Sequence, residues 1–190
     1  MEKTKIITVV GPTASGKSEY ALTLAEKLDG EIISGDSMQI YRGMDIGTAK
    51  PTCEEMRGIR HHLIDVADIE EPFSVSKFVI LAEKAIEDVS SRGKTPIIAG
   101  GTGLYIDTLV SGITLSETEE DEELREKLYK EAEEHGAEAL HEKLKAIDEK
   151  SAENIHPNNI KRVVRALEIY YTTGRTKGEL DEKSRRESRY

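Results

Sequence analysis

The segment Lys5-Ile6-Ile7-Thr8-Val9-Val10 is β-branched and lacks a helical period, and it is cut off at Gly11. From Lys17 onward the period changes, and Ala21, Leu24, Ala25 and Leu28 fall on one helical face. Between strand and helix lies Gly11-Pro12-Thr13-Ala14-Ser15-Gly16-Lys17-Ser18, which fits G-x-x-x-x-G-K-[ST] without mismatch. Such glycines let the backbone curl until successive N–H groups point at one anion. The helix N-terminus adds positive partial charge and Lys17 adds a full one. The Ser18 hydroxyl is suited to hold Mg²⁺ beside the bound phosphates. A chance match in a turn is the competing explanation, and the flanking strand and helix weigh against it. The loop recognises a diphosphate rather than a nucleotide. An ATPase, a small-molecule kinase and an enzyme acting on another diphosphate ester all remain open.

The rest of the first half repeats the strand-to-helix alternation. Glu31-Ile32-Ile33-Ser34 reads as a second strand, His61 to Val66 as a third, and Thr95 to Ala99 as a further buried strand ended by Gly100-Gly101. Val75 to Val89 is helical, with Phe78, Leu81, Ala82, Ala85, Ile86 and Val89 aligned. This alternation predicts an α/β fold, a parallel sheet of the P-loop NTPase type flanked by helices. After Gly112 the character shifts. Residues 117–150 space Leu124, Leu128, Leu140, Leu144 and Ile147 for helices, and Asn159 to Tyr171 turns Val163, Val164, Leu167 and Tyr170 toward a core. The expected division is a P-loop core over residues 1–113 and an all-helical section over 114–190.

Composition sets the class. The 190 residues, 37% hydrophobic and 34% charged, suit one globular core with a small appendage. No apolar run approaches the roughly 20 residues of a membrane span. The N-terminal apolar run is too short for a secretory signal, and the single Cys53 excludes an internal disulfide framework. A reduced, cytoplasmic compartment is expected. The net charge of -10 argues against nonspecific nucleic-acid binding, but its distribution is uneven. Residues 116–150 carry 6 Lys/Arg against 14 Asp/Glu, whereas residues 151–190 carry 9 against 6. Lys161, Arg162 and Arg165 cluster in this basic end, followed by Arg185, Arg186 and Arg189. Such a stretch meets phosphates locally, or is a solvated helix face.

Two further motifs follow strand ends, where an open parallel sheet forms its ligand crevice. Gly35-Asp36-Ser37-Met38-Gln39 follows the second strand, and its carboxylate is suited to ligate Mg²⁺ or to accept a proton. The rival role for Asp36 is a helix N-cap. Gly100-Gly101-Thr102-Gly103 ends a strand on the same rim. No strand of four apolar residues closing in Asp stands out; His62-Leu63-Ile64-Asp65 is the nearest, which disfavours a nucleotide hydrolase.

Together these residues resemble the tRNA dimethylallyltransferase (isopentenyltransferase) family. The similarity runs through the Gly11–Ser18 loop, Asp36-Ser-Met-Gln-Ile-Tyr-Arg-Gly-Met-Asp-Ile-Gly-Thr-Ala-Lys-Pro51, His61-His-Leu-Ile-Asp65, Gly100-Gly-Thr-Gly-Leu-Tyr105 and His156-Pro-Asn-Asn-Ile-Lys-Arg-Val-Val-Arg-Ala-Leu-Glu168. The resemblance implies that the loop holds the diphosphate of dimethylallyl diphosphate, and that the N6 amine of the adenosine on the 3′ side of the anticodon attacks the allylic carbon. Thr13, Lys17 and Ser18 would bind the leaving diphosphate, with Mg²⁺ at Ser18, and Asp36 would be the general base. Asp36, Ser37, Met38 and Gln39 would hold the flipped adenine, and Thr102 would contact the substrate adenosine region. Lys161, Arg162, Val163, Val164 and Arg165 would touch tRNA, with help from Arg125. A monomer with no membrane partner is expected, and the resemblance implies a C-terminal part of the core beyond Tyr190. The rival functions are an adenylate isopentenyltransferase, a small-molecule kinase, and a noncatalytic diphosphate- or RNA-binding remnant.

Overall fold

The computed structural model describes residues 4–112, 121–184 and 190, and these form two compact units. The first contains residues 4–112 and Tyr190; the second contains residues 121–184. The boundary expected at 113/114, the helical pattern over 117–120, and Arg185, Arg186 and Arg189 lie outside the described residues.

The first unit runs β1 (Ile7–Val10), α1 (Lys17–Leu28), β2 (Gly30–Ser34), β3 (His61–His62), α2 (Val75–Ser91), β4 (Thr95–Gly100) and α3 (Gly103–Val110). The four strands form one parallel sheet in the order β1-β4-β2-β3. Successive residues of a strand point to opposite faces, and the consecutive isoleucines use this. Ile32 and Ile97 pack under α1 with Val9, Ala21, Leu22 and Ala25. Ile33 and Ile98 pack on the other face with Phe78, Ala82 and Ile86 of α2 and Ile106 and Leu109 of α3. Helices therefore cover both faces of the sheet at β2 and β4, while β1 buries only Val9 and leaves Val10 55% exposed.

Details differ from the sequence expectation. The third strand is only His61–His62, because Leu63 and Asp65 adopt left-handed backbone at φ 62° and 56° and break the extended run. Leu28 is 44% exposed at the end of α1, and Leu22 is buried instead. Helix α3, unanticipated, opens immediately after the Gly100-Gly101 turn.

The second unit contains α4 (Glu122–His135), α5 (Ala137–Ile147), α6 (Glu149–Asn154), α7 (Ile160–Thr173) and α8 (Lys177–Ser184). Leu128, Leu140, Leu144, Val163, Val164 and Leu167 form its core, with Leu124 and Ile147 partly buried against it. Asp121 caps α4 by accepting the Leu124 amide, and Asp148 caps α6 by accepting that of Ser151. Among the described residues no helix is long and apolar enough to cross a membrane.

Candidate active site

Strand register gathers the motifs. Val10 pairs with Gly100 and Ser34 with Ala99, so β1, β4 and β2 end at one level. The Gly11–Ser18 loop, the Gly100–Gly103 turn and the Gly35–Gln39 turn consequently share one rim. In the first of these, Ala14 and Gly16 take left-handed backbone at φ 64° and 78°, and Ser15 N–H closes the turn onto the Pro12 carbonyl at 3.3 Å. Helix α1 then starts at Lys17. This curl, followed directly by a helix N-terminus, is the shape of an anion cradle. Lys17 Nζ donates to the Pro12 carbonyl at 3.2 Å, which folds the ammonium back over the loop. A Cβ at Gly101 would stand 3.9 Å from Lys17 Nζ and 3.6 Å from the Gly11 carbonyl oxygen, so the Gly-Gly turn lies directly beside the cradle. Thr13 and Ser18 are exposed on the same loop and first helical turn.

Asp36 is half-buried. Its Oδ1 accepts the Met38 amide at 2.8 Å and the Gln39 amide at 3.4 Å, so it caps the turn over residues 37–40, where no helix begins. Those amides fix the carboxylate at the end of β2. Ser37 donates its N–H to Thr102 Oγ1 at 3.0 Å, and Thr102 donates its own to the Gly35 carbonyl at 3.2 Å. Thr102 thus ties the Asp36 turn to the Gly-Gly turn. Below them Tyr105 is buried and stacks on Phe78 with ring centroids 4.4 Å apart. Burial, with the charges of Tyr41 and Asp36 nearby, raises its hydroxyl pKa.

Gln39 and Lys50 lock the segment that follows. Gln39 Oε1 accepts the Ser34 hydroxyl at 3.0 Å, and its Nε2 donates to the carbonyls of Thr48 and Ala49 at 3.2 and 3.3 Å. The Lys50 side chain is only 5% exposed, and its ammonium donates to Asp45 and Asp65, both at 2.6 Å, and to the Tyr41 carbonyl at 2.9 Å. Burial alone would lower its pKa; the two carboxylates outweigh burial and raise it. Asp65, the nearest match to a strand-ending metal carboxylate, is thereby committed to Lys50. Sequence reasoning missed Lys50. Two acids 5 residues before it and 15 after it were the available signal, but only the fold brings them together.

In the helical unit Lys161 and Arg162 are exposed on the first turn of α7. Val163 and Val164, expected from the period to face a core and from the resemblance to touch tRNA, are 0% and 1% exposed, so their side chains pack in the core. Arg125 Nε and an Arg165 guanidinium nitrogen reach the fully buried Glu168 carboxylate at 2.9 and 2.6 Å, and the Asp121 amide adds a bond of 2.9 Å. Burial by itself would raise the Glu168 pKa; Arg165, the Asp121 amide and Arg125 together hold it below the ordinary value. Sequence gave no sign of this centre, because Glu168 is an acid on a basic helix.

At the opposite end of β2 from Asp36, Glu31, His62 and Asp88 bring ligand atoms within 4.8 Å of one another, a spacing a metal ion can use. The Arg92 guanidinium already fills that space. It pairs with both Glu31 oxygens and with Asp88 at 2.8 Å, while His62 Nε2 meets Glu31 at 2.7 Å. A cation is therefore in place, and the Glu31 pKa falls to about 2, chiefly through Arg92, against the opposing effect of burial and with further help from His62.

Comparison with known proteins agrees with this geometry. A sequence model described as IPP transferase matches residues 39–190. The tRNA dimethylallyltransferase of Geobacillus thermodenitrificans is 56% identical over 171 residues, which cover 90% of this chain and 54% of that protein. That of Acetivibrio thermocellus is 54% identical over 181 residues, covering 95% and 58%. The crystal structure of the tRNA isopentenylpyrophosphate transferase of Bacillus halodurans superposes with a TM-score of 0.61 at 51% identity, over 90% of this chain and 57% of that one. A eukaryotic dimethylallyltransferase acting on tRNA gives 0.77 at 33% identity, over 97% and 46%. The chain thus spans a little over half the length of the curated relatives it matches. The parallel sheet with flanking helices described above agrees with the P-loop NTPase-like fold of these neighbours. The chain belongs to the IPP transferase family.

Proposed function

We propose that the rim is the transfer site of a tRNA dimethylallyltransferase, moving a dimethylallyl group from dimethylallyl diphosphate to N6 of the adenosine 3′-adjacent to the anticodon. The observation that carries this reading is the convergence, on one rim, of an anion cradle with a carboxylate fixed by its own loop amides. The Gly11–Ser18 amides and Lys17 grip the diphosphate and take up its growing charge as the C–O bond breaks. Thr13 lies on the same loop and serves the leaving group. The Asp36 carboxylate takes the proton that N6 loses as the N–C bond forms, and Oδ2 is the oxygen left for it, since Oδ1 receives the two amides. Met38 and Ser37 border the adenine. Gln39 acts by holding the segment in place, because its amide is engaged by Ser34, Thr48 and Ala49.

Mg²⁺ fits this donor set. Ser18 offers one exposed hydroxyl on the first turn of α1, and Mg²⁺ characteristically combines one or two protein oxygens with phosphate oxygens and water. When bound there it supplies charge neutralisation to the diphosphate. Residues 114–190 serve as a tRNA-binding insertion, with Lys161 and Arg162 meeting phosphates and Arg125 and Arg165 set in place by Glu168. The acting form is a cytoplasmic monomer.

Single-turnover incubation with labelled dimethylallyl diphosphate tests the reading. The label passes to unmodified tRNA and not to AMP, and the γ-phosphate of ATP stays in place. Label in AMP would transfer the assignment to cytokinin-type chemistry, and consumption of ATP would transfer it to a kinase.

A further inference from the structure

We propose that Ile46 is a fixed apolar contact for the splayed bases of the substrate's anticodon loop; this rests on the function proposed above. Ile46 is 98% exposed, more than any other large apolar side chain among the described residues. An exposed isoleucine on a loose loop needs no explanation, but this turn has no slack. Ala49 N–H donates to the Ile46 carbonyl at 3.2 Å, Lys50 N–H donates to the Asp45 carbonyl at 3.1 Å, and the Thr48 hydroxyl donates to the Met44 carbonyl. The buried Lys50 ammonium grips Asp45 next to it. Gln39 Nε2 lashes Thr48 and Ala49 to the turn that carries Asp36. The backbone of Ile46 is therefore pinned on both sides, and pinned to the proposed catalytic turn.

Two consequences favour RNA as the occupant. The pairing of Asp45 with Lys50 offsets part of the negative charge that would repel phosphates beside the isoleucine, although Lys50 is shared with Asp65. A base that leaves its stack to be modified opens a gap between its neighbours, and an apolar side chain on rigid backbone fills such a gap without an ordering cost of its own loop. Single-stranded loop bases present the flat faces that such a contact needs.

The test uses an anticodon stem-loop RNA with a fluorescent adenine analogue at the target position, and the unaltered chain, Ile46→Ala and Ile46→Leu. Ile46→Ala binds the RNA about tenfold more weakly and loses most of the fluorescence rise that reports unstacking. Its affinity for dimethylallyl diphosphate is unchanged, and Ile46→Leu restores both RNA readouts. Equal RNA affinity and equal fluorescence for Ile46→Ala overturn the inference while leaving the transfer reading intact. An unaltered chain that neither binds the RNA nor prenylates it overturns the transfer reading, and this inference with it.

Discussion

Gly35 and Gly100 meet backbone to backbone: a Cβ on Gly100 would lie 2.3 Å from both the carbonyl carbon and the oxygen of Gly35. No side chain fits there. This contact lets the Asp36 turn and the Gly-Gly turn close onto each other, and Thr102 then bridges them through Ser37 and Gly35. Gly100→Ala forces the two turns apart. The expected cost is on the order of 3 kcal/mol, a fall of roughly 10 °C in Tm for a chain of this size. Differential scanning calorimetry checks it, and an unchanged Tm would mean the contact is slack.

Asp36→Asn keeps an oxygen able to accept the Met38 and Gln39 amides, so the turn survives while the proton acceptor is lost. Prenyl transfer falls by about 10²–10⁴-fold. Affinity for dimethylallyl diphosphate, measured by equilibrium binding, stays within about twofold, since the loop amides and Lys17 hold the donor. Equal losses in rate and donor affinity would return Asp36 to a purely capping role.

Lys161→Ala with Arg162→Ala removes two exposed cations from the first turn of α7 without touching its core. The slope of log affinity for tRNA against log salt falls by about 1.4–1.8, the value for two lost phosphate contacts. Arg165→Ala is the poorer probe, because it leaves the buried Glu168 short of a partner and mixes binding with stability. An unchanged salt slope in the double variant would make this a solvated face.

Glu31 carries a pH signature. Its pKa drops from the ordinary 4.5 to about 2 on folding, chiefly because Arg92 bonds the ionised form. A depressed acid contributes stability above its unfolded pKa and loses it as pH falls through the folded one. Acid unfolding should therefore take away on the order of 2 kcal/mol between pH 4.5 and 2, allowing for solvent around the one-third-exposed Arg92. Glu31→Gln should flatten that window in urea titrations repeated across pH. A parallel shift at every pH would contradict the assignment.

The sheet and its loops were legible because their signals are local. A β-branched run, a glycine loop and a 3.6-residue period each occupy adjacent residues, and α1 spans Lys17–Leu28 as its period predicts. The loop motif and Asp36 could be put on one rim because parallel strands end on one side. What stayed hidden depends on residues far apart in sequence. Lys50 reads as a surface lysine until Asp65 is brought to it. Glu168 reads as a lone acid on a basic helix until Arg125 arrives from α4. Thr102, expected to face substrate, lends its oxygen to Ser37, a partner 65 residues away. The period of α7 turns Val163 and Val164 toward the core, and their side chains are buried there.

The most direct measurement is the affinity of the unaltered chain and of Lys17→Ala for labelled dimethylallyl diphosphate in the presence of Mg²⁺, with pyrophosphate and ATP as competitors. The account predicts tight binding displaced by pyrophosphate but not by comparable ATP, and a loss of roughly 10–100-fold in Lys17→Ala. Undiminished affinity in that variant, or preferential displacement by ATP, would contradict it.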